Sequence, residues 1–437
     1  VGVAAGAAAA AVHVAALHTG AVARLAPSRP SVDVQLRLVR DPVAVLARSG
    51  RRFVVADATV TAVRRPGASW QPDAAPVVVF GVDPRWLGLL PGQRLQASGR
   101  LAAPRPGDDV AAALVAGDAP RLLGRPPLWQ RVAGRVRDGL RTACLPLPAD
   151  ERGLVPGLVL GDVSQMPPSL TSAFRVTGLA HLTAVSGANV AIVLGTVSAG
   201  VRWAGLGRRT RSLVAGSALV GFVILVRPSP SVLRAAVMGA VVLLAGMTGR
   251  RSRALPAVSA AVLGLVVVDP FLARSPGFAM SVLATAAIVT VAPAWTARLS
   301  RSMPQPVAAA IAVPAAAQLA CTPVIVATFG QLTPYAVPAN LLAAPAVAPA
   351  TLLGIATAGA ATVAPTVAGL LAWLAGLPAA WMVVVARVGG RLPGSGLGWP
   401  TGVRGVLLLT ACVTVIGAAV WAVARRVRRA ILGRCPA

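Results

Sequence analysis

The stretch VPANLLAAPAVAPATLLGIATAGA, residues 337–360, runs for 24 residues without a charged side chain. As a helix rising 1.5 Å per residue it outlasts the roughly 30 Å hydrocarbon core of a bilayer, for which about 20 residues suffice. Segments of the same kind recur near 182–201, 212–226, 232–249, 255–269, 279–297, 306–328, 367–388 and 404–424. Several carry internal prolines: Pro314 and Pro323 in one, Pro338, Pro345 and Pro349 in the next. Broken helices at membrane depth are tolerated where protein buries them or where they line a water-filled cavity. Their number favours a conduit over a simple anchor.

The whole chain agrees with this reading. Of its 437 residues 56 % are hydrophobic and 12 % charged, and the mean hydropathy is +0.73. A soluble globular protein carries about a quarter charged residues, and a disordered chain is far less apolar. A polytopic membrane protein is the class that remains. The formal charge is +28, and all 41 basic residues are Arg. Codon bias in a GC-rich genome accounts for much of that, so net charge alone says little about nucleic acid. The distribution says more: 20 Arg accompany 11 acids up to residue 152, and 21 Arg accompany only Asp162 and Asp269 beyond it. Cys144, Cys321, Cys412 and Cys435 show neither metal-ligand spacing nor a disulfide framework. No cofactor or metal site is expected.

Residues 1–22 are Ala/Val-rich and long enough to span, with His13 and His18 near the end. They lack the basic flank of a complete signal peptide, which reads as a chain whose upstream part is missing. From residue 31 the period changes to two: Val32, Val34, Leu36 and Leu38 alternate with Ser31, Asp33, Gln35 and Arg37. Similar runs at 53–63, 75–82 and 94–101, separated by turn signals, predict a small β domain over 31–120 of about five strands, suited to an OB-like barrel. Phe53, Trp70, Phe80 and Trp86 are its aromatics, available either as core or as a platform on which bases of a single strand stack. Residues 127–152 form an amphipathic connection. Leu128, Val132, Val136 and Leu140 share one face, and Trp129 suits the headgroup layer, though the helix could equally pack on the barrel.

Arg clusters at 202–211, 250–253, 298–301 and 425–429 fall at every second loop. The positive-inside rule assigns those loops to the cytoplasm and the β domain to the outer side.

The most polar run within the apolar part is Gly161-Asp162-Val163-Ser164, followed by Phe174-Arg175-Val176-Thr177-Gly178-Leu179-Ala180-His181-Leu182-Thr183-Ala184-Val185-Ser186-Gly187-Ala188-Asn189-Val190. On one helix Leu182, Ser186 and Asn189 would share a face, close to His181. A Ser/His pair admits a hydrolase reading, but there is no GxSxG elbow, and small polar residues usually join membrane helices to one another.

These runs resemble the ComEC/Rec2 competence family, whose members carry a G-D-x-S element and then an F-R-x-T/S-G-L-x-H-L-x-A-V-S-G-x-H/N-V run. Residues 230–251, 269–281, 317–332 and 340–343 are similar to the same domain in the same order, so the resemblance spans about 155–425. Asn189 stands where many members have His. Many members also end in a metallo-β-lactamase-like nuclease domain, which this chain, ending at Ala437, does not show; it is expected not to be an enzyme.

The resemblance implies a bacterial inner-membrane, multi-pass channel translocating single-stranded DNA into the cytoplasm during natural transformation. The implied partners are the strand, the lipid bilayer, a DNA receptor and a cytoplasmic motor. The expected fold is a polytopic α-helical membrane protein of about nine or ten transmembrane helices, with an OB-like β-barrel near the N-terminus and the helical domain over 153–430. A secondary transporter of a small anionic solute is the alternative. Arg234 is the sharpest candidate for the path, either facing DNA or snorkelling to the interface. Asp162, Arg175, His181, Ser186, Asn189, Gln318, Gln331 and Asn340 would be polar lining or glue between helices.

Overall fold

The computed structural model describes residues 2–46, 50–105, 107–183, 185, 187–227, 230–248 and 254–432. The chain begins with α1 (Gly2–Thr19) and α2 (Ala21–Leu25), followed by the strands β1 (Ser31–Leu38), β2 (Val43–Leu46), β3 (Arg52–Arg64), β4 (Gln71–Pro72), β5 (Pro76–Gly81), β6 (Arg94–Ala102), β7 (Ala112–Ala116) and β8 (Arg121–Leu122). The sheet runs β1-β3-β5-β7-β6, and β6 pairs back onto β1. This closes a five-stranded barrel, in which β5 and β7 are parallel.

Alternation drives it. Val32, Val34, Leu36 and Leu38 point inward with Val54, Ala56, Ala58, Val77, Val79, Leu95 and Leu114, all nearly inaccessible. The alternation slips once. Between Gln35 and Leu36 the register of β1 against β3 skips Thr61, whose hydroxyl donates to the Gln35 carbonyl at 3.2 Å. One extra residue reverses the facing of everything after it, so Val63 rather than Ala62 is buried. Leu17, Ala21, Val22 and Ala26 join the same core from the N-terminal helices. There the Val22 N–H donates to Asp73 Oδ2 at 2.7 Å. The strand β7, which the sequence reading did not single out, is the element that lets the barrel close.

The helical part follows: α3 (Leu128–Cys144), α4 (Ala149–Leu160), α5 (Pro168–Val176), α6 (Gly187–Trp203), α7 (Arg208–Val226), α8 (Pro230–Thr248), α9 (Ala254–Val268), α10 (Pro276–Thr290), α11 (Ala292–Leu299), α12 (Gln305–Phe329), then the bridge strand β9 (Gln331–Leu332), α13 (Ala336–Ala360), α14 (Pro365–Arg391), β10 (Leu397–Gly398) and α15 (Gly402–Leu432). The expected spans fall on α6 to α15, with 279–297 resolved into α10 and α11, bent by 44°. Among the described residues α7, α12, α13 and α14 are long and apolar enough to cross a membrane, six spans resulting if two bent pairs each count as one. Ser231–Leu244, Leu255–Val268 and Gly402–Val415 are shorter apolar helices. The architecture is that of a multi-pass membrane protein carrying an OB-like barrel.

The chain forms two compact units: 1–167 with 181–275 and 346–381, and 168–180 with 276–345 and 382–437. In the first, Val185, Val190, Leu219, Phe222, Val226, Val232 and Ala235 make a helical core beside the barrel's own. In the second, Ala308, Ala312 and Ala316, spaced by four residues, are buried on α12. Such small side chains let helix backbones approach closely in a medium where the hydrophobic effect does not drive association.

One sequence expectation changes, and α3 adds a feature. Leu182 ends a short 3₁₀ turn, and α6 starts only at Gly187, so Leu182 and Asn189 do not share a helix. The Val185 carbonyl in between accepts from Ser231 Oγ at 3.2 Å. On α3 the buried residues are Ala133, Gly134, Arg137, Leu140 and Cys144, while Leu128 and Val132 are exposed. The inward face is rotated onto Arg137, because that guanidinium has buried partners to meet.

Candidate functional site

The G-D-x-S element is a helix stop that aims a carboxylate. Gly161 caps α4 at φ +69°, in the left-handed region where a side chain would be strained. Asp162 follows, nearly inaccessible, and its Oδ1 accepts the Ser164 N–H at 3.2 Å. Its Oδ2 receives Arg141 Nε at 2.6 Å and Nη2 at 2.5 Å, with Arg137 Nη2 at 3.9 Å. Burial pushes the Asp162 carboxyl up, but the Ser164 hydrogen bond and the charges of Arg141 and Arg137 outweigh it and hold its pKa below the ordinary carboxylate range.

Arg137 is the hub of this cluster. Its Nη1 donates to the carbonyls of Leu225 at 3.0 Å and Leu160 at 3.4 Å, near the C-termini of α7 and α4, where a cation also meets the negative end of the helix dipole. Its Nη2 lies 3.6 Å from Asp41 Oδ2, the oxygen that accepts Arg227 Nε at 3.0 Å. Sequence reasoning missed Arg137, Arg141, Arg227 and Asp41. The signal was present in part, since Ala133, Arg137, Leu140 and Cys144 lie at i, i+4, i+7 and i+11, but an Arg on that stripe reads as solvent-facing until its counter-charges are known.

Within the same unit Asn189 is buried and donates from Nδ2 to the Leu158 carbonyl at 2.8 Å, binding α6 to α4. Arg234 is 3 % exposed on α8. Its side chain is enclosed by protein. His181 is exposed, and Ser186 lies outside the described residues.

In the other unit the F-R-x-T-G-L run is a second helix stop. Gly178 sits at φ +71°, the Leu179 N–H returns to the Phe174 carbonyl at 2.8 Å, and Phe174 and Leu179 are buried. Arg175 points to the exterior. Gln318 Nε2 donates to Thr333 Oγ1 at 3.2 Å, and Asn340 Nδ2 to the carbonyl of Ala336 on its own helix at 2.8 Å. Gln331 belongs to β9 and pairs with Gly398. Asp162 is thus gathered into an ionic cluster, while Asn189, Gln318 and Asn340 act as local ties.

The four barrel aromatics separate. Trp86 is fully buried and donates Nε1–H to the Asp118 carbonyl at 3.3 Å; it is a core residue and cannot stack on a base. Phe53 and Phe80 are half-buried with ring centroids 5.8 Å apart. Arg64 lies 4.5 Å over the half-buried Trp70 ring, and this Arg also pairs with Asp33 at 2.9 Å.

The two helix stops, the polar residues between them and the helices that follow lie within residues 158–424, which match the sequence model of the Competence protein family. The chain belongs to this family. Over 203 residues it is 29 % identical to ComE operon protein 3 of Bacillus subtilis (strain 168), a match covering 46 % of this chain and 25 % of that protein. The match therefore spans about a quarter of the relative's length. No solved structure matches the chain. Among the described residues no three His, Cys, Asp or Glu side chains gather as a metal site, and the competence-family segment presents arginines and amides instead.

Proposed function

We propose that this chain is part of a channel that moves single-stranded DNA through a bacterial plasma membrane during transformation, with the β-barrel on the outer side. The observation that carries this reading is the fate of the carboxylates. Only Asp162 and Asp269 follow residue 152. Asp162 is neutralised by Arg141 and Arg137, and Asp269 caps the turn at 270–274 by accepting the Phe271 N–H at 3.1 Å.

A strand bearing one negative charge per nucleotide needs a path without free carboxylates and with cations at hand. Arg234, buried in the helical unit, is the residue assigned to that path. Family membership and the name of the Bacillus relative support the same process. The barrel's outer placement follows from the positive-inside rule, under which the 202–211 and 298–301 clusters stay cytoplasmic. A DNA receptor would deliver the strand and a cytoplasmic motor would draw it in. A proton- or sodium-coupled carrier of a small anion would want a free intramembrane carboxylate, and both available acids are engaged.

The test is uptake of labelled DNA into a nuclease-protected cytoplasmic form, comparing the intact gene, its deletion and Arg234→Gln. Loss on deletion and at least a tenfold fall in the variant are expected. Full uptake in the deletion strain, or solute uptake without DNA dependence in liposomes, would overturn the proposal.

A further inference from the structure

The hairpin of β2 and the first residues of β3 carries an apolar outer surface. All four β2 side chains are exposed, Val43 at 59 % and Leu46 at 65 %, and among the described residues the strand pairs with β3 alone. The ladder sets Val43 opposite Val55, Val45 opposite Phe53, and Val55 opposite Phe80. Residues directly opposite share a face. Val54, between Phe53 and Val55, points into the barrel core, so Val43, Val45, Phe53, Val55 and Phe80 lie on the outside of the barrel. The Phe53 and Phe80 rings are 5.8 Å apart. Charge here has one sign: residues 42–56 contain Arg48, Arg51 and Arg52 and no acid, and Arg51 and Arg52 are exposed.

The root of this hairpin is fixed at the end of α7, one of the helices long and apolar enough to cross a membrane. That helix ends at Val226, and Arg227, the next residue, donates to Asp41 at 3.0 Å. The Leu225 carbonyl accepts at 3.0 Å from Arg137, which itself lies 3.6 Å from Asp41, and Pro42 is buried. This structural ion cluster holds residue 41 where a spanning helix leaves the membrane, and β2 begins two residues later. We propose that the hairpin docks on the anionic headgroup layer of the membrane that α7 crosses. Val43, Val45 and Phe53 enter the boundary with the acyl chains, and Arg51 and Arg52 meet lipid phosphates. The edge of β2 turned away from β3 limits the depth. Its N–H and C=O groups have no strand partner among the described residues, so headgroups and water can satisfy them where hydrocarbon cannot. The barrel thereby gains a second attachment to the membrane beside the helices. This holds whether or not the cargo is DNA.

The experiment uses the full chain in lipid nanodiscs, with Cys144, Cys321, Cys412 and Cys435 replaced by Ala and a nitroxide attached at Leu46→Cys. Electron paramagnetic resonance reads how often the label collides with a neutral nickel chelate dissolved in the water. Ser69→Cys, in the exposed turn at the other end of β3, is the reference. At Leu46→Cys the collisions are expected to be about threefold rarer in phosphatidylglycerol than in phosphatidylcholine, and at Ser69→Cys equal in both. Adding Arg51→Gln and Arg52→Gln is expected to remove the difference. Equal access in the two lipids overturns the docking, as does a difference that survives the arginine substitutions. It is equally overturned by access that falls only when an oligothymidylate is added, which assigns the face to nucleic acid, or by spin–spin broadening that is the same in both lipids, which assigns it to a second copy of the chain. If the labelled Leu46→Cys chain does not melt cooperatively, Val43→Cys carries the test with the same outcomes. A negative result removes the lipid contact and leaves the DNA reading to its own uptake assay.

Discussion

Asn189 reaches from the first turn of α6 to the main-chain carbonyl of Leu158 on α4, 2.8 Å away, and is itself 4 % exposed. This hydrogen bond ties α6 to α4. Asn189→Ala strands a buried carbonyl and is expected to lower stability by about 1–2 kcal/mol. Thermal unfolding in detergent would show it. An Asn189→Ala protein that melts like the wild type yet fails in DNA uptake would instead assign the residue to the path.

The pairing of Asp162 with Arg141 predicts a coupling measurable by a double-mutant cycle. Asp162→Asn leaves Arg141 and Arg137 without their shared counter-charge and is expected to cost about 3 kcal/mol, as for other buried pairs broken on one side. Arg141→Gln, one-third exposed, should cost less, and the double variant less than the sum.

The same pair sets an acid limit. The folded-state pKa of Asp162 lies below its unfolded value of about 3.9. Its contribution is therefore complete above about pH 4 and is lost as pH falls through the lower, folded value. Asp33, lowered chiefly by the Ser98 hydrogen bond and also by Arg64, acts in the same direction in the barrel. Unfolding followed from pH 7 to pH 2 should show a plateau and then a fall, with the acid limb shallower in Asp162→Asn.

The aromatics of the barrel should divide in a mutational comparison. Trp86→Ala opens a core cavity and is expected to destabilise by about 3–5 kcal/mol. Trp70→Ala removes a half-buried ring and its cation–π contact with Arg64, the contact being worth about 0.5–1 kcal/mol, and is expected to cost less than Trp86→Ala. Circular-dichroism melts of the full chain would separate the two. If the barrel engages a strand, Trp70→Ala would weaken oligonucleotide binding at near-wild-type stability.

Gly178→Ala tests the helix stop in the F-R-x-T-G-L run. A Cβ there would lie 2.5 Å from the Cβ of Ala336, and the backbone sits at φ +71°. Both the contact and the left-handed conformation oppose a side chain, so the variant is expected to lose more than about 1 kcal/mol and to give a reduced yield of folded protein. Gly195→Ala, where a Cβ meets nothing within 4 Å, is the control and should behave as wild type.

The segments legible in the residues alone are those governed by near neighbours. The spans near 212–226, 306–328 and 367–388 coincide with α7, α12 and α14 to within a few residues. Apolarity sustained over about 20 residues has one structural outcome in a bilayer. That Gly161 and Gly178 end helices is shown only by their backbone, at φ +69° and +71°. The strand β7, AALVA, escaped because five small apolar residues have no marked period. The burial of Arg137 on α3 is not legible from hydrophobicity alone, because its counter-charges lie far along the chain.

What the sequence by itself determined is the class of molecule, a multi-pass membrane protein with a β-barrel ahead of it, together with the family signature in the two helix stops. These rest on composition and local periodicity, which a linear reading contains. What only the tertiary structure decided is where the charges go. Asp41 and Arg227 are 186 residues apart, and nothing along the chain announces that they meet. A buried guanidinium is tolerable only beside carboxylates and carbonyls brought to it by the fold. Hence Arg137 could be recognised as an interior residue, and Asp41 as its half-exposed counter-charge, only after the chain had been folded around them.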